Sequence, residues 1–264
     1  MMTSLELTGD IYRIQRRPGS RSQLVTNRGE DGLQIIDVHT CDITTIAFSS
    51  GVIDSWCLRA DGRVAVVFND DKRHATWVPL GVGSCRSIEF PPWPITQGMP
   101  YDWRGDTLWL KDPDTFAFAS VDANGALEVH EGHAVLQRNR EWRRAIDRLR
   151  RADGRCVRVE PDRARLMFVA SRQVGVINWV DQPEITIPID VVPPRIAVVD
   201  ERVAALAEYR TQIIDTHGVV QTFEAPTGYH FVDLDIVGNM LVILAVALDG
   251  RLAARLHVHS LGGM

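Results

Sequence analysis

The chain has 264 residues, of which 45% are hydrophobic and 24% charged, and a formal net charge of −5. A chain of this length buries about three quarters of its unfolded surface, so it needs no disulfide or metal to hold a core. The composition is that of an ordinary globular protein; no run of about 18 apolar residues is present to span a bilayer, and the mild acidity disfavours a dedicated nucleic-acid binder.

Residues 3–8, Thr-Ser-Leu-Glu-Leu-Thr, alternate polar and apolar and predict one strand with no partner beside it in sequence. Between 11 and 50 the runs Ile11-Tyr-Arg-Ile, Gln23-Leu-Val-Thr, Leu33-Gln-Ile-Ile and Ile43-Thr-Thr-Ile are strand candidates separated by turn residues. Residues 52–91 repeat the form, with Asp61-Gly62 between two apolar runs as a hairpin signal. Four prolines within Pro91–Pro100 predict a loop, and Trp93 lies inside it. A shorter unit spans 101–130. The pattern then changes: Trp142, Ala145, Ile146 and Leu149 follow helical spacing, predicting a short helix near 139–152 with Asn139 as N-cap and Gly154 near its end. Strand signals resume over 155–190, 195–225 and 229–260. The last two units are alike, each with Val- and Ile-rich runs broken every eight to twelve residues by Asp, Gly or Asn.

Short strands repeating with a period of about 35–45 residues predict a radial array. In its pattern of repeated four-strand units the chain resembles the β-propeller superfamily. The tandem Trp-Asp endings, kelch diglycines and Asp-box patterns of the named repeat families are absent, so the resemblance carries no site residues. It implies an all-β fold: a single six-bladed β-propeller domain over 1–264, with four-stranded antiparallel blades at about 11–50, 52–91, 101–130, 155–190, 195–225 and 229–260. The last unit has only three strands, and the strand at 3–8 is expected to complete it. That closure would remove an edge open to aggregation. The continuously apolar Met240-Leu-Val-Ile-Leu-Ala-Val-Ala fits a strand covered on both faces.

The widely spaced Cys41, Cys57, Cys85 and Cys156 are expected to be reduced and to act as small core hydrophobes. Trp77, Trp109 and Trp179 lie within strand runs and are expected in the core. The N-terminus has no basic start followed by an apolar core, so it reads as lacking a secretory signal and the expected location is cytoplasmic. Of the 29 Lys plus Arg, only Lys72 and Lys111 are lysines; GC-rich codons produce that bias, a hint of a bacterial source.

Chemistry-bearing patterns are sparse. Phosphate loops, nucleophile elbows and zinc-protease helices are absent. His130-Glu-Gly-His133 and His257-Val-His259 each bring two imidazoles together, but neither has a readable third ligand. Asp233-Leu-Asp235 sets two carboxylates on one face of what would be an innermost strand, the position for a cation or a general base in a central channel. The strongest cluster is the predicted helix, where Arg140, Arg143, Arg144, Arg148 and Arg151 form a basic face suited to an acidic partner. With Trp93 as an aromatic anchor, these residues are the expected partner-binding set; no catalytic residue, metal or cofactor is assigned. The expected function is non-enzymatic protein binding, with a bacterial immunity protein or inhibitor occluding a toxin or enzyme as its narrower form. The alternative is a lactone or sugar hydrolase or lyase using Asp233 and Asp235 in the channel.

Overall fold

A computed structural model describes residues 2–29, 32–48, 52–59, 61–69, 74–89, 99–104, 107–111, 118–122, 126–130, 155–160, 165–170, 173–178, 185–188, 195–199, 202–215 and 217–261. Every regular element among them is a strand. In chain order these are β1 (Met2–Thr8), β2 (Ile14–Arg16), β3 (Gln23–Asn27), β4 (Gly32–Asp37), β5 (Ile43–Ala47), β6 (Ile53–Leu58), β7 (Val64–Asn69) and β8 (His74–Pro79). Next come β9 (Arg86–Glu89), β10 (Met99–Arg104), β11 (Thr107–Lys111), β12 (Phe118–Val121), β13 (Leu127–His130), β14 (Arg155–Glu160), β15 (Arg165–Ala170) and β16 (Gln173–Asn178). The last are β17 (Ile185–Pro188), β18 (Arg195–Val199), β19 (Arg202–Leu206), β20 (Arg210–Asp215), β21 (Gly218–Glu224), β22 (Tyr229–Val237), β23 (Met240–Ala247) and β24 (Ala253–Ser260). The predicted helix near 139–152 lies outside the described residues.

The strands form four-stranded antiparallel meanders: β2 to β5, β6 to β9, β10 to β13, β14 to β17 and β18 to β21, each in chain order. The last meander is completed from the far end of the sequence, with the order β1-β24-β23-β22. Here β1 runs antiparallel to β24 with Leu5 opposite Leu256 and Leu7 opposite Ala254. The lone alternating run at 3–8 therefore finds its partner some 250 positions away, as the missing fourth strand required.

Neighbouring sheets pack face against face. The innermost strand β22 lies against β2 on one side and β18 on the other, and β18 lies against β14. Alternate residues of the closing sheet serve the two neighbours. Val242, Leu244, Leu256 and Val258 join Leu24 and Ile36 of the β2–β5 sheet in one core cluster. Leu234, Ile236, Leu241 and Ile243 join Leu206 and Ile213 of the β18–β21 sheet in another. This double burial is why β23 reads as an unbroken apolar run: either face would expose a polar residue to a hydrophobic neighbour. A third cluster fills the space between the β2–β5 and β6–β9 sheets around Trp56, which is fully buried.

The turns that join the two innermost strands of adjacent sheets approach closely. Gly62 holds a left-handed φ of 67°, and a Cβ there would meet the Pro18 carbonyl oxygen at 2.2 Å. Only glycine fits both restrictions. Arg17 reinforces the same junction, donating from Nε to the Gly62 carbonyl at 2.8 Å and from Nη2 to the Leu80 carbonyl at 3.1 Å.

The cysteine expectation needs correction. Cys57 is buried as predicted, but Cys41 is half-exposed and Cys85 is exposed. Cys41 sits in a turn with φ 63°, and Cys85 follows the glycine-bearing loop after β8, so neither position lies on a strand face that a neighbouring sheet covers. Trp77 is in the core as expected, while the side chains of Trp109 and Trp179 lie outside the described set.

Candidate protein-binding face

The paired carboxylates on β22 are buried, Asp233 at 4% and Asp235 at 1% exposure. A bulge between Phe231 and Asp233 shifts the alternation of β22 so that both carboxylates turn toward β2. Asp233 Oδ2 accepts the Ile14 amide at 2.9 Å and Oδ1 its neighbour's, Leu234, at 2.9 Å. Asp235 Oδ2 accepts the Arg16 amide and Oδ1 the Ile236 amide at 2.7 Å. Arg195 of β18 stands 3.7 Å from Asp233 Oδ1. Each oxygen is thus committed to a main-chain donor. The two carboxylates act as rivets between innermost strands, satisfying β2 amides that face away from their own sheet. A general base would have to surrender one of these bonds, so the geometry favours a structural role over the hydrolytic one.

The same bonds fix direction. Asp233 meets Ile14 and Asp235 meets Arg16, so β22 and β2 run side by side in the same sense. The loops entering both strands therefore lie at one end of the sheets.

The histidine pair on β24 also turns inward. His257 packs edge-on against Phe231, with ring centroids 6.3 Å apart, and His259 lies 4.2 Å from the Phe223 ring. Burial, and then the Arg255 guanidinium, hold His257 below its ordinary pKa. Burial and the adjacent His257 lower His259 to about 4. Both are neutral near pH 7, His257 buried and His259 half-buried. Among the described residues no three His, Cys, Asp or Glu side chains come together as metal ligands. His133 lies outside the described residues.

The loop-bearing end carries the exposed apolar side chains Tyr12, Val52, Tyr209, Leu248 and Leu252. Hydrogen bonds, all but one of them main-chain, tie their loops into a continuous arc. The Ala225 amide donates to the Tyr209 carbonyl at 2.8 Å, and the Leu248 amide to the Gly228 carbonyl at 2.9 Å. The Gly9 amide donates to the Leu252 carbonyl at 3.1 Å, and the Tyr12 hydroxyl to the Ile53 carbonyl at 3.3 Å. Arg13 stacks 5.0 Å over Trp56 and donates to its carbonyl, pinning the residue beside Tyr12. The neighbouring Glu208 carboxylate holds the Tyr209 hydroxyl above its ordinary pKa. Asp249 and Arg251 pair between Leu248 and Leu252. The result is a set of exposed apolar and aromatic side chains on hydrogen-bonded loops, framed by charge, a composition suited to a protein-binding anchor cluster.

None of these five residues is marked by the sequence reading. The available signal was Leu248-Asp-Gly-Arg-Leu252: two leucines flanking a tight turn, where one polar residue on each side would suffice. The sequence-predicted partner-binding residues Trp93, Arg140, Arg143, Arg144, Arg148 and Arg151 lie outside the described residues.

No family model matches the chain, and no curated protein matches it. Among solved structures it is similar to the Myceliophteria thermophila Cps50 (Swd1) beta-propeller domain, with a TM-score of 0.59 and 14% identity over 98% of this chain and 99% of that one. The likeness spans both chains almost end to end and establishes the fold as a β-propeller.

Proposed function

We propose that this β-propeller is a non-enzymatic, cytoplasmic protein-binding module, a ring of six blades that docks a partner on its loop-bearing end. The observation that carries the reading is the arc of Tyr209, Leu248, Leu252, Tyr12 and Val52, exposed on hydrogen-bonded loops. An anchor cluster carried on hydrogen-bonded loops loses less backbone entropy on association than one on free loops, so more of its apolar burial goes into affinity. A complex of standard size would bury about 1,600 Å² in total. The basic face of Arg140, Arg143, Arg144, Arg148 and Arg151 is proposed to steer an acidic partner toward the disc, with Trp93 as an added anchor. An inhibitor or immunity role is the narrower form of this proposal, and it requires that the partner lose activity in the complex.

Affinity capture from the source organism, with the partner identified and re-purified, tests the reading. Stoichiometric binding should be lost in Tyr209→Glu/Leu252→Glu while the thermal midpoint is unchanged. Reversal of Arg143, Arg144 and Arg148 to Glu should slow association and weaken its salt dependence. Retained binding by the Tyr209/Leu252 variant removes the loop-end assignment.

A further inference from the structure

We infer that the outermost strand β5, with the cleft beside it, is a second binding site, one that takes an uncharged extended peptide as an added strand. Every outermost strand of a sheet exposes unpaired main-chain groups, and proteins guard such edges with charge or proline. The guards are visible elsewhere: Glu6 on β1, Arg86 and Glu89 on β9, Glu128 on β13, Pro188 on β17 and Glu224 on β21. Ile43-Thr-Thr-Ile-Ala of β5 has neither. Its β-branched residues favour pairing, and Ile43, Thr44, Thr45 and Ala47 are exposed. Its ladder partner is β4 alone, with no further main-chain hydrogen bond from its outer side among the described residues.

A cleft of about 450 Å³ opens beside this edge. Ile46 and Phe48 form one wall; Thr76, Pro79, Cys85 and Ser87 of the next sheet form the other. Thr76 and Ser87 are directly opposed across β8 and β9, so they present hydroxyls on one face. The cleft thus offers apolar contact and neutral hydrogen-bonding groups to side chains on one face of an incoming strand, while the β5 edge offers the main-chain partners. A charged residue would be desolvated there without an opposite charge, which sets the neutral chemistry of the occupant.

A second copy of the chain is the less suitable occupant. Five paired residues span roughly 17 Å of strand, too short a contact to supply by itself the 1,200 Å² or more that a stable protein–protein interface buries. A short segment of another protein needs no such area. The site is separate from the loop-bearing end and stands or falls independently of it.

The probe is a fluorescein-labelled seven-residue peptide of alternating Thr and Val, capped at both ends, followed by anisotropy. Saturable binding below 1 mM is expected, with slowed exchange at those amides of residues 43–47 that point away from β4. N-methylation of alternate peptide residues should abolish binding in one phase and spare it in the other, because only one edge of the peptide meets β5. Thr45→Lys should weaken binding at least tenfold and Thr45→Val should not. Gly81→Trp should also weaken it at least tenfold with the thermal midpoint unchanged; Gly81 lines the cleft and an added Cβ there meets no atom within 4 Å. Leu252→Glu should have no effect. Absence of binding at 1 mM, equal binding by both N-methylated phases, or full binding by Thr45→Lys overturns the proposal.

Discussion

Replacing Asp235 by Ala measures what the carboxylate rivets contribute. The side chain is 1% exposed, and its two oxygens accept the amides of Arg16 and Ile236. Alanine leaves both amides in a space too tight for ready hydration. An orphaned buried donor costs about 1–3 kcal/mol, so two cost about 2–6 kcal/mol. Removing a buried charge returns part of that, because the carboxylate no longer has to be held away from water. The expected net loss is about 2–4 kcal/mol, a large share of the roughly 5–15 kcal/mol that holds a domain together. Asn at the same position keeps one acceptor and should lose about half as much. Urea titration followed by tryptophan fluorescence reads the change, with m held constant to confirm that the same surface unfolds. Amide exchange at Arg16 should accelerate in Asp235→Ala while that at Val25, on a strand paired on both sides, follows global unfolding alone. If the midpoint moves by less than about 0.5 kcal/mol equivalent and Arg16 exchange is unchanged, the rivet argument is wrong.

Other outcomes follow from the same structure. Gly62→Ala should destabilise by more than about 2 kcal/mol, because the new Cβ would stand 2.2 Å from the Pro18 carbonyl oxygen at a left-handed φ; at Gly228, which shares the left-handed φ but meets no atom within 4 Å, Ala should cost only about 1 kcal/mol. Both are read by denaturant midpoint. The inward-turned histidines make the fold acid-sensitive. The folded-state pKa of His259 is lowered from 6.5 to about 4, so the unfolded chain binds the proton first as pH falls. Stability is then full above about pH 6.5 and declines toward pH 4, by about 2 kcal/mol after allowance for partial exposure, and His259→Gln should flatten that slope in melts at stepped pH. Deleting residues 1–8 should strip the outer edge of β24 and produce aggregates or strand-swapped dimers on size-exclusion chromatography, which a synthetic peptide of residues 2–8 should reverse.

Local periodicity carried most of the fold. Strands such as β7, β20, β23 and β24 stand where alternation or β-branched runs placed them, and the continuous apolarity of β23 anticipated its burial on both faces. The reading of Asp233 and Asp235 was half correct. The i, i+2 spacing and the inner-strand position were legible. Their task was not, because the amides they accept belong to Ile14 and Arg16, 219 positions earlier, and a backbone donor leaves no trace in residue identity. Trp56 was hidden for a related reason. Its run, Ile53-Asp-Ser-Trp-Cys-Leu, carries two polar residues beside it, and only the neighbouring sheet shows that the indole is fully enclosed. The loop-end leucines escaped because exposure depends on which turns face outward, a property of the assembled sheets.

The pairing of β1 with β24 has a consequence for biosynthesis. Of the described strands β1 leaves the ribosome before the others and is the last to find its place, since its partner β24 emerges only after the intervening chain. At roughly 5–20 residues per second that wait lasts tens of seconds or less. During it the sheets made earlier can begin to pack on one another, but the final one cannot assemble. A product that terminates before β24 would leave the apolar β23 without its outer neighbour and β1 without its partner, and nascent-chain stalling upstream of residue 253 should therefore be the step at which chaperones are most needed.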